Sequence, residues 1–227
     1  MGSEMALGLP EGEAHHLRNV LRGRPGDTFE VVDSDRRLFT AELREGGEAV
    51  VLDEVHTGGD MAEVSLYQAL PKGRHMDLVV EKATELGVGV VVPLVTERGV
   101  VKPGDERKKV GRWRRVAEAA ARQSLQLRVP EVREPVAFSD AVREVGESGV
   151  MLHNQEGLPD LEELIDRPAA RLFVGPEGGW SEGELELAAG CGLSRAQLGP
   201  YRLRSETAGI VAVARARAAL ERKVESF

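Results

Sequence analysis

The stretch Phe173-Val174-Gly175-Pro176-Glu177-Gly178-Gly179-Trp180-Ser181-Glu182-Gly183-Glu184 decides the fold class. Apolar residues Leu172–Val174 read as a short buried strand, which runs into a glycine-rich loop and then into a helix start. Ser181 and Glu184 have the spacing of a capping box, and Trp180 with Leu185 that of a hydrophobic staple. Strand, loop and helix in that order are the repeating unit of an α/β sheet, and such sheets place ligands at the carboxyl ends of their strands. Gly178 and Gly179 let a ligand approach the main chain, although a plain connector has the same pattern.

The same alternation extends on both sides. Upstream, Val64–Leu70 reads as a strand. Met76, Val79, Val80, Ala83 and Leu86 form an i, i+3, i+4, i+7 helix stripe, and Gly87 is the residue that stops it. Val88–Val95 is an apolar, β-branched run suited to a strand covered on both faces. Trp113, Val116, Ala117 and Ala120 mark a long helix, Val150–His153 a strand, and Leu161, Leu164 and Ile165 a helix. Downstream come a helix over Ser181–Ala189, a strand over Ala196–Leu198 and a long helix over Ser205–Val224. The expectation is an α/β domain with a mostly parallel sheet over residues 65–227.

Residues 1–64 have another character. Short strand candidates, Thr28–Asp33, Leu38–Leu43 and Ala49–Leu52, follow one another at hairpin spacing after a helix over Glu13–Leu21. Gly58-Gly59-Asp60 is the expected linker.

The chain has 227 residues, with 41% hydrophobic and 30% charged, which is globular rather than disordered. A single cysteine, Cys191, excludes a disulfide framework and a cysteine zinc site. No apolar run has the roughly 18 residues a membrane span needs, and Met1-Gly2-Ser3-Glu4 does not begin a signal peptide, so a cytoplasmic protein is expected. The net charge of −8 speaks against nucleic acid only as a whole-chain number. Residues 1–64 hold six Lys/Arg against fourteen Asp/Glu, whereas residues 65–227 hold 24 of each. Within the second segment, residues 102–128 carry nine Lys/Arg and three acids, either a solvated helix face or a phosphate-binding one.

Three further patterns bear on chemistry. Glu85-Leu86-Gly87-Val88-Gly89-Val90-Val91 imitates the glycine loop of Rossmann-type methyltransferases, but Val91 replaces the third glycine and the helix precedes the strand, so Gly87 reads as a helix stop. His15 and His16 are adjacent and cannot share a helix face as a metal pair would, so no metal site is expected. The stretch Gln197-Leu198-Gly199-Pro200-Tyr201-Arg202-Leu203-Arg204-Ser205-Glu206-Thr207-Ala208 is more unusual. Two arginines, a glutamate and two hydroxyls precede an alanine-rich helix, where a plain connection needs only the Ser205 cap and an acid favoured by the helix dipole.

"GPEGG" at 175–179, followed roughly twenty residues later by the "LGP..LR.ETA" pattern of 198–208, resembles the RsmE family of the knotted SPOUT class, uridine-N3 methyltransferases of 16S ribosomal RNA. Lys72-Gly73 with Glu81–Gly87, Pro93-Leu94 with Glu97-Arg98, Gln123-Ser124 with Val129–Val132, and His16–Arg24 are similar to further family motifs. Tyr201 stands where the family has an arginine, and Leu125-Gln126 where it has Gly-Arg. The resemblance implies a PUA-like β-barrel for RNA binding (1–64), a knotted methyltransferase domain (65–227), a homodimer, and S-adenosylmethionine (SAM) as methyl donor with no metal. It implies a SAM site built from His153, Gly175, Pro176, Glu177, Gly178, Gly179, Leu198, Gly199, Leu203, Thr207 and Ala208. Arg204 and Glu206 then lie nearest the chemistry: Arg204 as stabiliser of charge leaving uridine N3, with Glu206, Tyr201 or water as proton acceptor. Arg18, Arg22, Arg24, Lys72, Arg112, Arg115, Arg122 and Arg128 are the expected RNA contacts. The alternatives are a knotted methyltransferase for another RNA position and a non-catalytic RNA-binding factor of ribosome assembly.

Overall fold

In the computed structural model the chain divides into two compact units, Met1–Met61 and Ala62–Phe227. The structure describes residues 6–7, 23–33, 35, 37–45, 48–57, 63–99, 106–165 and 169–224. The expected Glu13–Leu21 helix, the Gly58–Asp60 linker, Arg18 and Arg22 lie outside them.

In the first unit, strands β1 (Ala6–Leu7), β2 (Thr28–Val32), β3 (Arg37–Leu43) and β4 (Ala49–Thr57) form an antiparallel sheet in the order β1-β4-β3-β2. Alternation explains its one-sided core: Phe39, Ala41 and Leu43 are buried while their neighbours are partly exposed.

The second unit is a seven-stranded sheet in which every pairing is parallel. Its strands are β5 (Glu63–Ala69), β6 (Val90–Val95), β7 (Glu131–Val132), β8 (Val136–Ala137), β9 (Gly149–Leu152), β10 (Ala169–Val174) and β11 (Ser194–Ala196). They lie in the order β11-β9-β10-β5-β6-β7, with β8 also on β6. The helices are α1 (His75–Glu85), α2 (Glu106–Gln123), α3 (Phe138–Val145), α4 (Leu161–Leu164), α5 (Glu182–Gly190) and α6 (Ser205–Val224).

The two sheet faces carry separate cores. Val64 and Leu66 of β5, Val91 of β6 and Leu172 and Val174 of β10 pack with α1, α2 and α6. Tyr67, Val92 and Phe173 point the other way, to Phe138 and Val142 of α3 and Ala188 of α5. Tyr67 and Phe173 stack at 4.5 Å between centroids, adding to area burial alone. Strand β6 is buried on both faces, as its unbroken apolar run requires.

Gly87 ends α1 as the sequence implies. Its φ of +78° is a conformation other residues resist, and the amides of Gly87 and Val88 close on the carbonyls of Thr84 and Ala83. Arg217 of α6 donates to the Gly87 carbonyl, so the helix end also anchors α6. Several elements depart from expectation: α4 is a single turn, α3, β7 and β8 were not anticipated, and the strand expected at Ala196–Leu198 lies at Ser194–Ala196.

Candidate active site

A cavity of about 320 Å³ opens at the carboxyl ends of β9, β10 and β11. Leu152, His153 and Asn154 follow β9; Gly175, Pro176, Glu177, Gly179 and Trp180 follow β10; Leu198, Gly199, Tyr201, Arg202, Leu203, Ser205 and Ala208 follow β11. Of the expected cofactor residues, His153, Gly175, Pro176, Glu177, Gly179, Leu198, Gly199, Leu203 and Ala208 are in its wall, while Gly178 and Thr207 are not. Neither Arg204 nor Glu206 is in the wall: Arg204 is exposed, directly after the lining Leu203, and Glu206 is buried in the first turn of α6.

The loop after β10 is fixed from three sides. Ser181 and Glu184 form the capping box of α5, with the Ser181 amide donating to Glu184 Oε2 (2.9 Å) and the Glu184 amide to Ser181 Oγ (3.2 Å). The other carboxylate oxygen of buried Glu184 accepts from the Glu97 amide (2.9 Å), and Arg98 donates to the carbonyls of Gly178 (3.3 Å) and Trp180 (3.0 Å). Glu97-Arg98 therefore braces the glycine-rich loop from beyond β6. The Lys72 amide donates to Glu177 Oε1 (3.2 Å) from the far end of β5. Trp180 closes the cavity floor, its indole N–H donating to the Leu152 carbonyl (3.0 Å).

A buried polar chain links the sheet to the cavity wall. Gln68, fully buried near the end of β5, donates from Nε2 to Ser205 Oγ (2.9 Å) and to the Ala69 carbonyl (3.1 Å). Ser205 Oγ donates to the Gly175 carbonyl (2.6 Å). A side chain at Gly209 would overlap Gln68 Oε1 and force that buried amide to move. Sequence reasoning missed Gln68 and read Trp180 only as a helix staple; a lone glutamine closing an apolar strand was the only available signal for the first.

His153 Nδ1 is a buried atom in the cavity wall without a hydrogen-bond partner among the described residues. Burial, and next the charge of Arg195, hold its imidazole below the ordinary histidine range. An unmet polar atom amid backbone groups and apolar side chains suits a ligand that is itself part polar, part apolar, as a nucleoside-containing cofactor is.

The basic helix α2 separates its two faces. Val110, Trp113, Ala117, Ala120 and Ala121 are buried, and Arg112, Arg115 and Arg122 share the opposite, exposed arc. Arg112 is ion-paired with Asp77 of α1. Arg24, Lys72 and Arg128 are exposed. Among the described residues no group of three His, Cys, Asp or Glu is placed to hold a metal, and no helix is long and apolar enough to cross a membrane.

The family of RNA methyltransferase domains matches residues 59–217, and that of RNA methyltransferase PUA domains matches residues 9–54. The chain thus belongs to the RNA methyltransferases that carry a PUA domain. "Ribosomal RNA small subunit methyltransferase E" of Synechocystis is 35% identical, over 96% of this chain and 75% of its own length. A ribosomal RNA small subunit methyltransferase E from Neisseria gonorrhoeae, solved bound to S-adenosyl methionine, is 30% identical with a TM-score of 0.76 over 96% and 93% of the two chains. A methyltransferase from Legionella pneumophila, solved in complex with SAM, is also 30% identical, with a TM-score of 0.76 over 96% and 94%.

Proposed function

We propose that this chain methylates N3 of a uridine in the 16S ribosomal RNA of the small subunit, with SAM as methyl donor. The observation that carries this reading is the cavity at the β9, β10 and β11 ends, walled by the two sequence patterns that mark the family. The first unit takes the role of PUA-like RNA-binding domain and the second that of methyltransferase domain, their boundary falling at 61–62, before β5, rather than at the expected 64–65. A homodimer, a trefoil knot and a cytoplasmic location belong to the same proposal. For the knot, support comes from β10 lying between β5 and β9 while α6 returns to pack on both β5 and β10.

The donor, when bound, supplies an electrophilic methyl group on a sulfonium. His153, Gly175, Pro176, Glu177, Gly179, Leu198, Gly199, Leu203 and Ala208, which line the cavity, would hold it, whereas the expected Gly178 and Thr207 stand outside its wall. Trp180, Val174 and Leu152, all buried, give the cavity an apolar part of its wall. Uridine N3 becomes nucleophilic only as its proton leaves, and the charge spreads onto the neighbouring carbonyl oxygens. Arg204 is the proposed stabiliser of that charge, a guanidinium offering only N–H donors and no acceptor for the proton. Glu206 is the proposed acceptor: it is a carboxylate three residues beyond Leu203, with Oε1 held 3.0 Å from His75 Nδ1. Positioning the two reactants supplies the remainder of the acceleration.

Arg24, Lys72, Arg112, Arg115, Arg122 and Arg128, with Arg18 and Arg22, would meet RNA phosphates. Transfer of label from SAM to small subunits lacking the modification, followed by nucleoside analysis, tests the proposal. Appearance of 3-methyluridine supports it, and another labelled nucleoside, or none, overturns it.

A further inference from the structure

Tyr201 stands at the cavity mouth with 82% of its surface exposed. Every other described aromatic is buried or half-buried: Phe39, Tyr67, Trp113, Phe138, Phe173 and Trp180 are all 5% exposed or less, and Phe29 is intermediate. The exposed ring is thus the exception in a chain with 4% aromatic residues, and it sits at the opening of the reaction cavity.

We propose that the Tyr201 ring stacks on the RNA base that enters the cavity mouth, making Tyr201 a substrate-binding residue. This rests on the methyltransferase reading above. Three observations carry it. First, the cavity of about 320 Å³ has room for one nucleoside-sized ligand in its depth, so a second base must lie at the mouth. Second, the loop bearing Tyr201 is moored there, with Arg202 Nη2 donating to the Glu177 carbonyl across the opening at 3.5 Å. Third, Arg202 is exposed directly after the ring, where its guanidinium can take a phosphate flanking a stacked base. A base removed from its helix loses stacking on both faces, and an aromatic side chain restores one. The ring offers this to any base, so Tyr201 contributes affinity and orientation, and selection of uridine falls to polar groups at the base edge.

The test compares wild type, Tyr201→Ala and Tyr201→Phe in methyl transfer to small subunits lacking the modification, alongside SAM calorimetry and sedimentation of each variant. The expected result is a KM for the subunit raised roughly tenfold or more in Tyr201→Ala, in line with loss of one base–aromatic stack. Tyr201→Phe should restore it, kcat should stay within about threefold, and SAM affinity and oligomeric state should not change. Weaker SAM binding in Tyr201→Ala assigns the ring to the cofactor, and a changed oligomeric state assigns it to a second copy of the chain; either overturns the proposal. Unchanged KM overturns it as well. No transfer by wild type removes the methyltransferase reading and this proposal with it, whereas wild-type transfer with an indifferent Tyr201→Ala removes only the latter.

Discussion

His75 at the start of α1 holds Glu206 in the first turn of α6, Nδ1 to Oε1 at 3.0 Å. The carboxylate is buried and the imidazole about half exposed. The bond joins residues 131 positions apart and ties the start of α6 to the start of α1.

Glu206→Gln separates anchoring from chemistry. The amide keeps an acceptor for His75 but cannot take a proton. Turnover should fall about a hundredfold or more, the usual loss when a general base is removed, with SAM affinity and melting temperature nearly unchanged. Full turnover in this variant leaves Glu206 an anchoring role only.

Arg204→Ala should lower kcat at least about tenfold, equivalent to about 1.4 kcal/mol of transition-state stabilisation. Its side chain is exposed and outside the cavity wall, so calorimetric SAM affinity should hold. Undiminished turnover removes Arg204 from the chemistry.

Ser205→Ala breaks the chain from Gln68 to the Gly175 carbonyl. Leaving buried polar groups unpaired costs about 1–3 kcal/mol. Denaturant titration should show that loss, and SAM should bind more weakly because the Gly175 carbonyl is no longer held. A stability within error of wild type contradicts the network.

Gly209→Ala forces a methyl against Gln68 Oε1, whose Nε2 is already committed to Ser205. A loss of about 1–3 kcal/mol is expected from overpacking. Combining it with Gln68→Ala should cost less than the two single losses together, because the overlap disappears. Strict additivity rules out the contact as the cause.

His153 gives stability a defined pH dependence. Its folded pKa lies below the unfolded one, chiefly through burial. Between the two values the unfolded chain binds more protons, so stability is full above about pH 6.5 and falls as pH drops through the lower folded value. His153→Asn should remove that part of the acid slope in stability measured from pH 7 to 5. Parallel curves for variant and wild type count against it.

Much of this architecture is legible in the sequence because local physics specifies it. The β6 run Val90–Val95, the α1 stripe ending at Gly87 and the Ser181–Glu184 capping box each report their element from within a few residues. Helix α3 escaped notice although Phe138, Ala141 and Val142 have helical spacing, because eight residues give only one repeat of the pattern. Strands β7 and β8 have two residues each and no period to read. The strand order was hidden for a different reason: which strands pair depends on contacts between distant segments. In the same way, Ser205 reads as a helix cap from its neighbours alone, and only the folded chain brings Gln68 and Gly175 to it.

The pairing of β5 with β10 carries a kinetic consequence. These strands meet in parallel register, Glu63 to Ala169 through Gln68 to Val174, from segments more than a hundred residues apart. Closing so large a loop has an entropic cost that the reward of pairing follows only afterwards, which makes folding slow compared with a helical protein of equal length. Until β10 arrives, β5 has a bare edge able to recruit another chain. The polypeptide is therefore most prone to aggregate early in refolding, and dilution should raise the recovered yield.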